Sequence, residues 1–589
     1  TMRITKLSLT NFRSFRETQT IEFAPVTLLF GPNSVGKSTV LLALFYLHSI
    51  LKTGSCNPDV IDGLGGKIIG GFKNLVNGKD LKKSMKLKVE FTSVDDIGSS
   101  YTEFFDLFDS MNDYDLPELG LDFLQGSSDA ETVALEFEIA WSFQNKTAFV
   151  KTYSVWLEDR LIACLRSDVG MKQLKISGLD YQHEYLLPQS HNNWIQGNDE
   201  LQINYVSGLQ EIICHGRIPS DKHDVPAYHS DISPDKNLML HYPISFKGFA
   251  GALPVLNKKI IIDTEFDDVM TTEIVRELLS NVLVAPLDDL LSFLNSSLCI
   301  GPLRQIPDIR YQADYGIKMR DWYTGKACWD ALQSMFYIDV CKINDWLNRE
   351  DRLNIGYQLV YKKNESVTNF VKPTLYPENL QDVVALKDIM DGLQLSISKE
   401  DLAVNPDTES KLIDPRMLDE IYGDAVDSAL VLDKNESIDK TLTLWDVQNH
   451  IEVSASEIGV GVSQVLPLVV AAITQPKGLI AIEQPELHVH PRVQVAIGDL
   501  LTQSASSSAF LVETHSEHLI LRLLRRIRET SEGTIPEGLT GVTAGQVSIV
   551  YLEPTKKGVI AKSIGIDEDG GFTTKWPNGF FSERREEIF

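Results

Sequence analysis

Polar and apolar residues alternate along Arg3–Leu9, the period of a strand with one buried face. A second strand-type run, Thr20–Phe30, leads straight into a glycine-rich loop, and Ser38–Leu51 then carries apolar residues at helical spacing. Further strand patterns follow at Lys86–Phe91, Thr132–Trp141, Ala148–Leu157, Arg160–Arg166 and Gln173–Ser177. Short polar breaks such as Glu158–Asp159 separate them, which predicts an antiparallel meander.

From about Asp180 to Asp433 the pattern loosens. It holds long polar connections (Ser190–Asp199, Ser220–Asn237), helical stretches (Thr272–Asn295, Trp329–Arg349) and an acidic, irregular region (Ser398–Lys434). Sustained heptads are absent from the sequence, so no long coiled coil is expected, and no internal repeat is visible. After Thr441, α/β alternation returns. Leu479–Glu483 reads as a strand, Pro491–Leu501 as a helix, Ala509–Glu513 as a strand and Glu517–Arg528 as a helix. Val547–Leu552 and Val559–Ile564 read as a closing strand pair. The expected fold class is therefore α/β, a head split between residues 1–180 and 434–589. A mixed, mainly helical insertion at 181–433 separates its halves.

Composition narrows the picture. A chain of 589 residues with 43% hydrophobic and 23% charged residues fits a folded protein of several structural units. The longest apolar stretch, Val460–Ile482, is broken by Pro467, Pro476 and Lys477 and reads as a helix followed by a strand rather than a membrane span. The first residues, TMRITKLSLTNF, lack the apolar run of a signal peptide, so a cytoplasmic location is expected. The six cysteines are scattered without a CxxC pair, which fits reduced thiols. A net charge of −27 disfavours generic nucleic-acid binding unless cations gather locally. Arg522, Arg525, Arg526 and Arg528 do gather, either as a solvated helix face or as a phosphate-contacting surface.

The loop GPNSVGKST, Gly31–Thr39, fills the G-x-x-x-x-G-K-[ST] pattern in its required strand–loop–helix context. Gly31 and Gly36 let backbone amides curl around an anion, Lys37 supplies a cation, and Ser38 offers a hydroxyl to Mg²⁺. Asn33, Ser34, Gly36, Lys37, Ser38 and Thr39 are the expected contacts to ATP. Chance would produce this pattern on the order of 0.02 times in such a chain. A second signal is GLIAIEQPELHVHP, Gly478–Pro491, where a buried strand delivers Glu483 to its C-terminal end. There a carboxylate can hold Mg²⁺ through water.

Together with EIGVGVSQVLPLVVAAI and FLVETHSEHL, these motifs resemble the split ATPase heads of the ABC/SMC class. They are most similar to the bacterial branch of the overcoming-lysogenization-defect proteins and the PtuA ATPases of Septu and retron anti-phage systems. The resemblance covers roughly the first eighty and the last hundred and fifty residues. It extends to IGPLRQIPDIRY (Ile300–Tyr311), and WPNGFF (Trp576–Phe581) resembles the closing motif of one subfamily. It implies that Gly459, Gly461 and Ser463, within Gly459–Gln464, form a signature loop over the γ-phosphate bound by an opposite subunit. It also implies that His515 is the switch histidine and that Glu483, Gln484 and His515 are the hydrolytic set.

Gln484 is a departure, because many such heads carry a catalytic Glu there. An amide accepts no proton at neutral pH, although it can orient water, so slow turnover and a long-lived ATP-bound state are expected. Glu486 is a substitute carboxylate that sequence spacing turns away from the phosphates. The glutamine of a Q-loop has no match in Gly70–Gly78 (GGFKNLVNG). His488 with His490, or His515 with His518, has metal-ligand spacing but lacks a third ligand. Asp567, Glu568 and Asp569 read as a solvated turn rather than a nuclease cluster, since the stretch after His515 is short for a nuclease domain.

Three functions are weighed. The first is an ATP-gated defence ATPase, a homodimer or larger homo-oligomer joined through ATP and Mg²⁺, controlling an effector such as an HNH nuclease subunit. A reverse transcriptase and structured RNA or DNA are further expected partners, and a membrane is not. The second is an SMC- or recombination-type DNA-maintenance ATPase, which calls for heptads and a basic groove. The third is a scaffold that holds ATP and hardly hydrolyses it.

Overall fold

The computed structural model describes residues 2–33, 36–97, 101, 130–168, 170–171, 173–180, 183, 245–262, 269–306, 321–333, 335, 337–362, 370–371, 403–404, 411–412, 441–504, 506–577, 579 and 581. Most of the polar connections expected between Asp180 and Asp433 lie outside these residues. The protein is a mixed α/β structure that divides into two units.

The first unit comprises 1–297, 477–479 and 545–565. Its main body is a nine-stranded sheet in the order 253–254, 245–249, 173–179, 160–167, 147–157, 130–142, 85–97, 3–10, 19–22. Neighbours in it run antiparallel. This is the expected meander, extended at one edge by Ser245–Phe249 and Leu253–Pro254, which carry no clear alternation. Arg3–Thr10 buries Ile4, Leu7 and Leu9 while its intervening residues stay more exposed, as alternation requires. Phe91, Phe137 and Tyr153 fill the inner face.

Val26–Phe30 differs, because every one of its residues is buried, the signature of a strand covered on both faces. It pairs in parallel with Val547–Thr555, which turns back antiparallel into Gly558–Ile564. Helix Lys37–Thr53 follows it and buries Val40, Leu44, Leu47 and Leu51. Cap residue Gly54 adopts φ 77° and returns its amide to the Ile50 carbonyl. Thr272–Asn295, expected as one helix, is two: Val269–Leu283 and Ala285–Asn295, with Pro286 in the first turn of the second.

The second unit comprises 298–476, 480–544 and 566–589. Leu298–Ile300 pairs in parallel with Leu479–Glu483, whose other neighbour is Ala509–Glu513. Helices Val460–Thr474, Pro491–Gln503 and Glu517–Ser531 belong to the same unit. A separate antiparallel sheet runs Phe370–Val371, Tyr357–Lys362, Thr441–Asp446, Ile451–Val453. The expected helix Trp329–Arg349 is likewise two, Lys326–Gln333 and Tyr337–Asn348. No helix among the described residues is long and apolar enough to cross a membrane. Cys56, Cys164, Cys299, Cys328 and Cys341 are free and buried, and Cys214 lies outside the described residues.

Candidate functional site

The loop after Val26–Phe30 is built around two glycines and a lysine. Gly36 has φ 118°, a conformation that L side chains rarely adopt, and a Cβ there would collide with the Ser14 hydroxyl. The chain can therefore close the loop only with glycine at this position. Lys37 opens the helix, and its buried Nζ folds back to donate to the Gly31 carbonyl at 2.7 Å. The ammonium is thus held across the mouth of the loop. Asn33 is exposed, Ser38 is half-buried, and Thr39 is buried with its amide on the Gly36 carbonyl at 3.0 Å. Ser34 lies outside the described residues.

In the second unit the fully buried run Leu479–Glu483 ends on a carboxylate that is 6% exposed. Glu483 Oε2 accepts a hydrogen bond from the Tyr323 hydroxyl at 3.2 Å. Burial and the neighbouring Glu483 carboxylate together push the Tyr323 phenol well above its ordinary pKa. The next residue, Gln484, sits at φ 48°, a left-handed conformation that costs a non-glycine residue about 1–2 kcal/mol. Its amide donates to the Glu513 carbonyl at 2.8 Å, which ties the end of one strand to the end of its neighbour.

Glu486 has a definite task. Its two oxygens accept from the Thr514 hydroxyl at 2.8 Å and the His515 amide at 2.7 Å. Thr514 Oγ1 in turn accepts the Ser516 amide, and Ser516 Oγ caps helix Glu517–Ser531 by accepting from Leu519 N at 3.1 Å. Ser516 Oγ also donates to Gln494 Oε1 at 2.7 Å. The His515 side chain is left exposed at the tip of this network.

Gly459 caps helix Val460–Thr474 and, with Val460, is exposed. Neither Gly459 nor Gly461 has a positive φ. A Cβ at Gly459 would meet nothing within 4 Å, and one at Gly461 only the His488 carbonyl at an ordinary 3.5 Å. Ser463 is fully buried with its hydroxyl on the Val460 carbonyl at 2.7 Å.

Two residues that sequence patterns did not single out complete the arrangement. Arg304, 4% exposed, donates through Nη2 to the Glu483 carbonyl at 2.9 Å and through Nη1 to Gln464 Oε1 at 3.1 Å. Tyr323 stands beside it because Gly301 lets its backbone approach, with the Gly301 amide on the Tyr323 carbonyl at 2.9 Å. An isolated Arg and an isolated Tyr have no periodicity; the motif-like IGPLRQIPDIRY contains Arg304, and no sequence signal pointed to Tyr323.

The arginine cluster divides: Arg525 and Arg528 are exposed, as a solvated helix face requires, while Arg522 and Arg526 turn inward. Arg526 is buried and forks onto the buried Asp499 at 2.9 and 3.0 Å; Arg522 pairs with the same carboxylate, and Arg525 with Glu529 at 2.7 Å. Arg522 and Arg526 are thus internal ion-pair partners. Among the histidines, His490 Nδ1 accepts from the Arg492 amide at 3.2 Å as a helix cap, and His488 sits at φ 60° in the preceding turn. No group of three or more His, Cys, Asp or Glu able to hold a metal occurs among the described residues. Asp567–Gly571 is a tight turn, with Asp567 Oδ1 accepting the Asp569 and Gly571 amides. In the closing segment Trp576 packs between Phe572 and Phe581, at 5.5 and 5.9 Å between ring centroids.

Comparison with known proteins adds the following. The family described as "AAA ATPase domain" matches residues 2–206, and "AAA domain, putative AbiEii toxin, Type IV TA system" matches 382–522. The DNA replication and repair protein RecF of Desulforamulus reducens is 44% identical over 45 residues, 8% of this chain and 12% of that protein. Similar solved structures include an SMC head bound to the C-winged helix domain of ScpA, at TM-score 0.33 and 11% identity. That match covers 96% of this chain and 98% of the other. The SMC head domain of Thermotoga maritima scores 0.32 at 8% identity, covering 96% and 100%. A Pyrococcus furiosus SMC head with an extended coiled coil, bound to the C-terminal domain of ScpA, scores 0.31 at 10% identity, covering 100% and 98%. Scores of this size define no shared fold. On the two family matches, AAA-type ATPase sequence lies in two separate stretches of the chain, 2–206 and 382–522.

Proposed function

We propose that the protein is a nucleotide-gated ATPase in which Gly31–Thr39 of one copy and Gly459–Gln464 of a second copy enclose ATP. The observation that carries this reading is Lys37, whose ammonium lies on the Gly31 carbonyl across a loop that tolerates only glycine at 36. A pre-set cation beside the first amides of a helix is a phosphate cradle. The glycines at 459 and 461 support the second half. Local backbone conformation and internal packing both leave room for a side chain there, so glycine serves an approach from outside the chain.

Ser38 and Glu483 are hard oxygen donors of the kind Mg²⁺ takes when phosphates complete its shell. Mg²⁺ held by such donors would neutralise charge on the phosphates. Glu483 holds its carboxylate on Tyr323, Gln484 orients water, and His515 stands as the exposed switch residue on the Glu486 network. With an amide where a base is usual, turnover is slow and the ATP-bound state persists. The head comprises 1–180 and 434–589, and the insertion 181–433 binds a separate effector, an HNH-type nuclease, in cytoplasmic anti-phage defence. Steady-state hydrolysis separates a holder from a fast motor. Near-zero wild-type turnover that rises in Gln484→Glu supports the reading, and fast wild-type turnover refutes it.

The local identity to RecF favours a second reading, a DNA-maintenance ATPase of the SMC or recombination type. Duplex DNA that stimulates ATP turnover would select it.

A further inference from the structure

One side chain is bonded to both the Gly459–Gln464 loop region and the turn that carries Glu483 and Gln484. Arg304 reaches Gln464 Oε1 at 3.1 Å and the Glu483 carbonyl at 2.9 Å, and grazes the Gln484 carbonyl at 3.5 Å. Gln464 returns the contact, its Nε2 donating to the Arg304 carbonyl at 3.3 Å. We propose that Arg304 is a positioning residue for ATP hydrolysis, coupling the first turns of helix Val460–Thr474 to the backbone of Glu483 and Gln484. This rests on the reading of Gln484 as the water-orienting residue.

Three features separate such a coupler from ordinary core packing. First, a buried charge is poor mortar, since an apolar side chain of the same volume is commonly as stabilising. Arg304 Nε finds no partner among the described residues, so the site carries an uncompensated polar atom that an apolar residue would avoid. Burial lowers the guanidinium pKa to about 10, and the nearby Glu486 and Glu483 carboxylates oppose that fall, so it stays charged at neutral pH.

Second, the geometry needs a planar fork. Only a guanidinium presents two Nη groups that serve two acceptors on different elements at once. Third, the turn it supports is held away from its relaxed conformation, with Gln484 at φ 48° directly after the supported carbonyl. Displacement of the glycine loop by a phosphate moves Gln464, then the guanidinium, and then the carbonyl that sets the direction of Gln484. Tyr323, on the Glu483 carboxylate, fixes the other end of the same residue.

The test uses the full chain under single-turnover conditions with enzyme in excess, beside equilibrium binding of a fluorescent ATP analogue and thermal unfolding. Arg304→Lys keeps the charge and loses the fork; Gln464→Met loses both of its bonds; Gln464→Glu keeps an acceptor. The expected result is melting within a few degrees of wild type for all three and ATP affinity within about twofold for Arg304→Lys, with hydrolysis at least about tenfold slower in Arg304→Lys and Gln464→Met. Gln464→Glu, which keeps the acceptor and loses the Nε2 donor, should slow hydrolysis less than Gln464→Met. The double variant Arg304→Lys/Gln464→Met should be no slower than either single one, because both break one link. Wild-type hydrolysis in Arg304→Lys, or rate losses that multiply in the double variant, overturns the coupling. A wild-type protein that neither binds nor cleaves ATP overturns the underlying reading as well, and that is visible before any substitution is made.

Discussion

Glu486 accepts the backbone amide of His515 at 2.7 Å, and its second oxygen accepts the Thr514 hydroxyl. The carboxylate that sequence spacing offered as a stand-in base is therefore a brace for the loop that presents His515. Glu486→Gln replaces one acceptor oxygen by an NH₂ facing a donor. Loss of one such bond to a charged group should destabilise the second unit by about 1.5–3 kcal/mol and slow hydrolysis through His515. Urea unfolding and a hydrolysis assay check this, and a variant with unchanged stability would show that the brace is incidental.

The glycines make opposite predictions. Gly36→Ala places a Cβ on the Ser14 hydroxyl at φ 118° and should abolish ATP binding. Neither Gly459→Ala nor Gly461→Ala meets an obstruction within the chain; the helical Gly461→Ala should leave stability equal or raise it by up to about 1 kcal/mol, and Gly459→Ala, at the N-cap, should lower it by no more than about 1 kcal/mol. Both should nevertheless abolish hydrolysis if these positions face a second copy's nucleotide. Hydrolysis at the wild-type rate in both alanine variants would argue against the signature-loop reading.

The ion-pair network around Asp499 is a stability element. Asp499→Asn takes the forked carboxylate from the buried Arg526, which keeps only Glu529 at 2.6 Å, and should cost about 2–4 kcal/mol. Arg525→Ala removes an exposed pair with Glu529 and should cost less than about 1 kcal/mol. Comparable losses in denaturant midpoint for the two variants would contradict the assignment of Arg526 as the buried partner.

Much of the fold was legible in the sequence. Strand-type patterns gave the meander from Arg3 to Ser177, and an apolar run gave Leu479–Glu483, but the run read as one strand, Thr20–Phe30, is two, Gln19–Glu22 and Val26–Phe30, in different sheets. Periodicity failed where it is blind. It fused Val269–Leu283 with Ala285–Asn295, because a break of one residue leaves the helical phase almost unchanged. It missed Arg304 and Tyr323, because their significance lies in bonds to Gln464 and Glu483, some 160 to 179 positions away. The arginine cluster was visible, but its partner Asp499 belongs to another helix, and only packing brings them together.

Asp289 adds a pH signature. Burial, and then the adjacent Asp288 carboxylate, raise its pKa to about 6 in the folded protein. The ordinary carboxylate value lies near 4, so the folded state binds the extra proton between about pH 4 and 6. Stability contributed by this group is present below about pH 4 and declines as pH rises through 6. Asp289→Asn should thus stabilise the protein at pH 7 and lose that advantage near pH 4, as read from unfolding midpoints. An advantage independent of pH would show that the carboxylate is not the cause.

The central claim is that Lys37 in the Gly31–Thr39 loop holds ATP. Equilibrium binding of ATP with Mg²⁺ to the full chain and to Lys37→Ala tests it most directly. Loss of a charge-assisted contact of about 1.5–3 kcal/mol should weaken binding roughly tenfold to a hundredfold. Equal affinity in the two proteins, or no binding by the wild type, would contradict the account.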